Sequence, residues 1–283
     1  MHRAALLIAG PVMALACLLP TAVADPASPG DLVRHAKRIA VLGDSITQDG
    51  RWVADVAAWM EERGITADVI NVGLSSETTS GLTEVLHAGG KFPRPNLFDR
   101  LDSVLRVVKP DLVLAMYGMN CGTYLPLDEE RFAKFKDGIE RLHAAVDKAG
   151  ARIIHLTPPI YDKQPGNPGP AGEADYDAVL TAYAEWLLGK RADGWAVIDV
   201  HGPMKAALES RRKEDPTATF TPDCIHPNDD GHWAIARAVI AGLGDEAAAD
   251  PDLPTKLAPF LPDTTERMKV LRDAYRESAG HTR

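Results

Sequence analysis

Apolar-rich runs at residues 39–42, 68–72, 112–116, 152–156 and 196–200 each meet a glycine or proline within two residues of their end. They are too short for helices and read as buried strands. Amphipathic segments lie between them. Residues 52–63 place Trp52, Val53, Val56, Trp59 and Met60 on one helical stripe, and residues 130–149 do the same with Phe132, Phe135, Ile139, Leu142 and Val146. Residues 98–108 and 174–188 also read as helices, and Asn228 can cap another that runs to about residue 243. Parallel neighbours need long crossovers, and the crossover helices cover both sheet faces. The expected fold is therefore α/β, with a five-stranded parallel sheet between helical layers.

Ligands in such sheets bind beyond the carboxyl ends of the strands, so the residues there decide function. Strand one is followed by Gly43-Asp44-Ser45-Ile46-Thr47, and strand two by Gly73. Strand three is followed by Tyr117-Gly118-Met119-Asn120. Asp223-Cys224-Ile225-His226-Pro227-Asn228 stands after strand five, ahead of the last domain helix. Each block alone could be a turn or a helix cap. Together and in this order they resemble the SGNH (GDSL-type) hydrolase superfamily over roughly residues 38–245. The resemblance implies a flavodoxin-like three-layer α/β/α sandwich and an ester hydrolase. It matches Ser45 to the nucleophile and Asp223 and His226 to the rest of a catalytic triad. It also matches Gly73 and Asn120 to the donors that face the substrate oxyanion.

The chemistry agrees with those assignments. Serine is a weak nucleophile without an adjacent base. Imidazole titrates near neutrality and can take its proton, and a carboxylate must hold the other ring nitrogen. Asp223 precedes His226 by three residues, so one turn can present both side chains. Acyl transfer also places charge on the carbonyl oxygen, where losing one donor costs ~10²–10³ in rate. Asp44 reads as structural, accepting N–H bonds at the turn.

Composition and processing signals narrow the setting. The formal net charge is −9, which argues against nucleic acid, whose phosphates need a basic footprint. Residues 1–24 combine an early Arg3, an apolar run and Ala22-Val23-Ala24, the pattern of a cleaved signal peptide. Cys17 lies in that run without a good lipoprotein box before it. No 18-residue apolar stretch follows residue 24, so no stable membrane insertion is expected after cleavage. The expected organisation is a signal peptide over 1–24, a hydrolase domain over 25–249, and a Pro-rich segment with a terminal helix (264–278) over 250–283. That last segment packs on the domain or extends from it. Residues 158–170 carry five prolines and read as a surface loop.

Two cysteines remain after signal cleavage, and each adjoins a motif: Cys121 follows Asn120, and Cys224 follows Asp223. Related sequences more often have Asp or Gly there. A Cys121–Cys224 disulfide tying the two loops together is one expectation, and two free thiols are the other. Tyr117 and Tyr124 flank Asn120 and are candidates for an aromatic sugar-binding rim. No zinc-protease, P-loop or G-x-S-x-G motif is present. The remaining histidines have no metal-ligand spacing, so neither metal nor cofactor is expected. No sequence feature specifies an oligomeric state. The reading is an exported, periplasmic or secreted serine esterase acting on a small-molecule or polysaccharide ester, with O-acetyl groups on carbohydrate favoured. The alternatives are a lysophospholipase or thioesterase for medium acyl chains, and a non-catalytic glycan- or phosphate-binding module on the same fold.

Overall fold

The structure, a computed structural model, describes residues 28–164, 166–167 and 169–279. The expected signal segment 1–24 and Cys17 lie outside the described residues. The strands are β1 (Arg38–Gly43), β2 (Asp68–Asn71), β3 (Leu112–Met116), β4 (Arg152–Leu156) and β5 (Ala196–Ile198). They form one all-parallel sheet in the order β2-β1-β3-β4-β5. Every residue of β3 is buried, as are the residues of β1 after Arg38. Burial on both faces is why these strands read as continuous apolar runs rather than alternating ones.

Helices α1 (Pro29–His35), α2 (Ser45–Asp49), α3 (Arg51–Glu62), α4 (Leu101–Val108) and α5 (Glu129–Lys148) belong to the first half of the chain. Helices α6 (Tyr176–Gly189), α7 (His201–Glu214), α8 (Asp229–Gly242), α9 (Leu253–Leu257) and α10 (Leu261–Arg276) complete it. The chain moves one way across the sheet from β1 to β2, then the opposite way through β3, β4 and β5. Right-handed crossovers then put α3 on one face and α4, α5 and α6 on the other. Helix α8 packs on α3, and α10 packs on α3 and β2. Asn228 caps α8 as expected, its side chain accepting from Gly231 N–H. The reversal of direction leaves a switch point between β1 and β3, the place where sheets of this kind bind ligands beyond the strand ends.

Several local expectations need correction. Residues 201–214 form α7 although the segment is polar; only His201, Met204 and Leu208 turn inward, too few for a clear apolar stripe. Strand β5 stops at Ile198 because Thr157 Oγ1 takes the N–H groups of Val200 and His201, which turn the chain into α7. The expected helix over 98–108 is a 3₁₀ turn followed by α4. The loop over 158–170 is not wholly on the surface. Ile160, Tyr161 and Asp162 are buried, and Asp162 anchors the segment through Arg212 Nη2 (2.8 and 2.9 Å) and Thr219 Oγ1 (2.9 Å).

One carboxylate fastens α3 to the end of α8. Asp245, just beyond α8, accepts from Trp59 Nε1 (2.8 Å) and Arg63 Nε (2.7 Å), both of the α3 region. The Arg63 hydrogen bond is the main cause that holds this carboxyl down from 3.8 to about 2; Trp59 and Ala247 N–H add to it against burial. A carboxyl with a depressed folded pKa contributes stability above its unfolded pKa and loses it as pH falls through the folded value. Asp245→Asn should therefore cost about 1 kcal/mol at pH 7. In urea titrations the gap between variant and wild type should close as pH falls from 4 toward 2; a gap independent of pH would contradict this role.

Candidate active site

The turn after β1 presents the serine. Asp44 caps α2, its Oδ1 accepting from Ile46 N–H at 3.0 Å, and Ser45 is the first helical residue. The first N–H groups of a helix have no acceptor within it, so Ser45 offers both a hydroxyl and a backbone donor at the strand end. Across from it, Ser45 Oγ lies 2.9 Å from His226 Nε2. His226 Nδ1 lies 2.7 Å from Asp223 Oδ2. The other carboxylate oxygen, Asp223 Oδ1, accepts the N–H groups of Ile225 (3.0 Å) and His226 (2.6 Å). Burial alone would raise the Asp223 carboxyl, but the hydrogen bonds from His226 and the two backbone N–H groups outweigh it and hold it below the ordinary carboxylate range. A charged Asp223 fixes the ring so that Nε2 faces the hydroxyl. The sequence spacing that placed both side chains on one turn corresponds to this geometry, with Cys224 between them at φ 75°.

The loop carrying His226 is braced from α3. Arg51 donates to Asp229 Oδ1 (2.5 Å), Pro227 O (3.2 Å) and Asp49 Oδ1 (2.8 Å). Exposed ion pairs are weak singly, but this fork joins the end of α2, the start of α3 and the start of α8. It thereby ties the segment after His226 to the helices that follow Ser45.

Asn120 and Gly73 stand on the neighbouring loops. Asn120 is buried. Its Nδ2 lies 3.3 Å from Asp44 Oδ2 and 3.4 Å from Glu77 O, which links its loop to the serine turn. Gly118 makes that loop possible: it has φ 147°, and a Cβ there would lie 2.7 Å from Pro158. Gly73 packs on the serine helix, where a Cβ would lie 2.6 Å from Gln48 N. Its N–H, expected to face the substrate oxygen, donates to Asn71 Oδ1 at 3.0 Å. Burial pushes the Asp44 carboxyl up to about 6, against the Ile46 N–H bond and the nearby His226.

Other expectations change. Cys121 and Cys224 are free thiols, not a disulfide. Cys121 Sγ contacts Thr79 Oγ1 at 3.5 Å, and Cys224 Sγ meets Asn167 O at 3.3 Å. Cys121 lies toward Tyr176 and Tyr183, and Cys224 toward Tyr161. The rings of Tyr124, Tyr161 and Tyr176 pack on one another, with centroids 5.1 to 6.2 Å apart. Tyr117 and Tyr124 are both buried and form no exposed sugar rim. Tyr117 Oη instead donates to Glu77 Oε2 (2.6 Å) and Tyr124 Oη to Asn120 Oδ1 (2.9 Å).

Sequence reasoning missed Glu77 and Arg94. Glu77 is fully buried and receives Arg100 Nε (2.6 Å) and Nη2 (2.7 Å). Arg100 also donates to Val72 O (2.8 Å), beside Gly73. Arg94 Nη1 donates to Asn120 Oδ1 (2.8 Å). Neither residue sits in a recognisable motif; a charged residue between Pro93 and Pro95, in a chain fixed on both sides, was the one local signal. Among the described residues, no group of three or more His, Cys, Asp or Glu is placed to hold a metal ion.

Comparison with known proteins bears on the family and the fold. Residues 41–234 match the model of the GDSL-like lipase/acylhydrolase family. No curated protein matches the sequence. Among solved structures, a gut microbial diltiazem-metabolizing enzyme is similar with a TM-score of 0.59 at 19% identity. The match covers 78% of this chain and 49% of that one, so this chain spans about half of its length. The acetylxylan esterase Axe2 from Geobacillus stearothermophilus, as a catalytic mutant, aligns at 20% identity over 74% of this chain and 95% of its own, with a TM-score of 0.56. The acetyl xylan esterase AlAXEase aligns at 16% identity over 72% and 98%, also with a TM-score of 0.56. These similarities show a shared fold, which in this chain is an α/β arrangement around a five-stranded parallel sheet. With more than half of its length matched to the family model, the chain belongs to the GDSL-like lipase/acylhydrolase family, a family of carboxylic ester hydrolases.

Proposed function

We propose that this chain is an exported serine esterase that removes O-acetyl groups from carbohydrate through Ser45, His226 and Asp223. The observation that carries the reading is the continuous chain from Ser45 Oγ to His226 Nε2 (2.9 Å) and from His226 Nδ1 to Asp223 (2.7 Å). Ser45 Oγ attacks the ester carbonyl carbon while His226 Nε2 takes the hydroxyl proton. The carbonyl π electrons move to oxygen, and Asn120 Nδ2 and Ser45 N–H donate to it. Gly73 N–H joins them by sharing its bond with Asn71. Collapse of this intermediate breaks the bond to the alcohol oxygen, and His226 returns the proton to that oxygen as it leaves. Water then repeats the sequence on the acyl-enzyme and releases the acid. Asp223 stabilises the imidazolium at each stage and stays ionised.

The choice of acetyl on carbohydrate rests on two supports. Side chains of His226 and Asp223 keep 51% and 55% of their surface exposed, so a group carried on a bulky polymer can reach the serine. Two of the structural neighbours are acetylxylan esterases by name. Among the described residues, no helix is long and apolar enough to cross a membrane.

Hydrolysis of p-nitrophenyl acetate and of p-nitrophenyl decanoate, by wild type and by Ser45→Ala, tests the proposal. Acetate should turn over faster than decanoate, and the variant should lose ~10³-fold or more in kcat. Faster decanoate turnover would move the acyl group to medium chains. Unchanged turnover in Ser45→Ala would remove the serine from the mechanism. Export follows from the composition of residues 1–24. N-terminal sequencing of the protein recovered outside the cytoplasm of an expressing bacterium should begin at Asp25, and retention of an intact leader in the cytoplasm would contradict it.

A further inference from the structure

The amide of Asn120 is held far more firmly at its oxygen than at its nitrogen. Oδ1 accepts from Arg94 Nη1 at 2.8 Å and from Tyr124 Oη at 2.9 Å. Among the described residues, Nδ2 has only two contacts, both long, to Asp44 Oδ2 (3.3 Å) and Glu77 O (3.4 Å). Arginine has no acceptor, so the amide atom facing Nη1 must be the oxygen. The nitrogen is thereby turned toward Asp44, the residue next to Ser45.

Arg94 is itself locked. Its Nε and Nη2 make a two-pronged pair with Glu84 (2.7 and 2.6 Å), and its backbone N–H donates to Thr83 Oγ1 (3.0 Å). Its guanidinium carbon lies 5.3 Å from the centre of the Tyr124 ring. Arg94, Tyr124 and Asn120 are all buried. Burial also pushes the Tyr124 hydroxyl well above its ordinary pKa, so it stays protonated and remains a donor.

From this geometry we infer that Arg94 and Tyr124 are positioning residues for catalysis: together they fix the orientation of the Asn120 amide and strengthen Nδ2 as the oxyanion donor. Two donors on Oδ1, one of them charged, draw electron density from the amide, and hydrogen bonds in series strengthen one another in a low-dielectric interior. The loosely held Nδ2 then exchanges weak ground-state contacts for a strong one to the oxyanion. A contact that strengthens only in the transition state acts on kcat. The inference rests on the proposed role of Asn120 in the oxyanion site.

Double-mutant cycles on p-nitrophenyl acetate hydrolysis test it. Tyr124→Phe and Arg94→Met are each made in wild type and in Asn120→Ala, and folding is checked by thermal melts. Asn120→Ala alone should lower kcat by ~10²–10³-fold. Tyr124→Phe should lower kcat by about 5-fold and Arg94→Met by about 30-fold, each with KM within about twofold and less than the loss of the donor itself. Arg94→Lys, which keeps one charged donor, should recover part of that loss. In the Asn120→Ala background both changes should cost less than about twofold, because their target is gone. Equal losses in both backgrounds, or no loss in wild type, would overturn the clamp and leave Ser45, His226 and Asp223 untouched. If Asn120→Ala leaves kcat unchanged, the oxyanion role of Asn120 fails first and the clamp with it. Tyr124→Phe removes a single hydroxyl, so it decides the question even where Arg94→Met, which strands Glu84, does not fold.

Discussion

Parallel pairing of β1 with β3 is the constraint on which the site depends. The register sets Gly43 beside Met116 and runs back to Ile39 beside Leu112, with both strands buried. Chains that leave two adjacent parallel strands at the same level must turn away from each other, because their next elements lie on opposite faces. Here β1 leads into α2 and α3, and β3 leads into the loop that carries Asn120. Their divergence at the strand ends is a consequence of topology. Strand β2, on the other side of β1, adds Gly73 to the same rim, and α8 packs on α3 and brings the Asp223–His226 turn across Ser45.

What the sheet leaves open, buried polar groups close. Glu77, Arg100 and Tyr117 form a buried set under the loop after β2, and Arg100 reaches Val72 O at the strand end. Burial raises the Glu77 carboxyl, and Arg100 and Tyr117 oppose that rise. Such a pair adds little net stability against an apolar substitute, but removing one partner strands a buried charge. These contacts tie the loop after β2 to α4 through Arg100 and to the end of β3 through Tyr117. The Glu84–Arg94 pair acts on the next loop in the same manner and extends to Asn120. Backbone strain collects in the same places, with Ser76, Thr123, Tyr124 and Cys224 all at positive φ. Residues held there persist only where the surroundings over-determine them.

The alternation of apolar runs and amphipathic stripes made the sheet legible, because β1, β3 and β4 are buried on both faces and their sequences record it. The spacing of Asp223 and His226 was legible because one turn holds both. Helix α7 was not, since its inward face is only His201, Met204 and Leu208 on a charged background. The cysteines misled because adjacency to two motifs does not fix which side of a loop a thiol faces, and here the two thiols meet different partners, Thr79 and Asn167. Tyr117 and Tyr124 misled for a similar reason. An aromatic beside a motif can face solvent or the interior, and both face inward to orient polar partners. Arg94 and Glu77 act through contacts made 26 and 40 residues away, to Asn120 and Tyr117, and local patterns do not encode contacts of that range.

Covalent trapping tests most directly whether Ser45 is an activated nucleophile. Incubation with a p-nitrophenyl phosphonate ester, followed by intact-mass measurement and peptide mapping, reads both stoichiometry and position. The account predicts one adduct per chain, on Ser45, with loss of esterase activity in step with labelling and far slower labelling in His226→Ala. Full activity without an adduct, or an inactivating adduct on another residue, would contradict it.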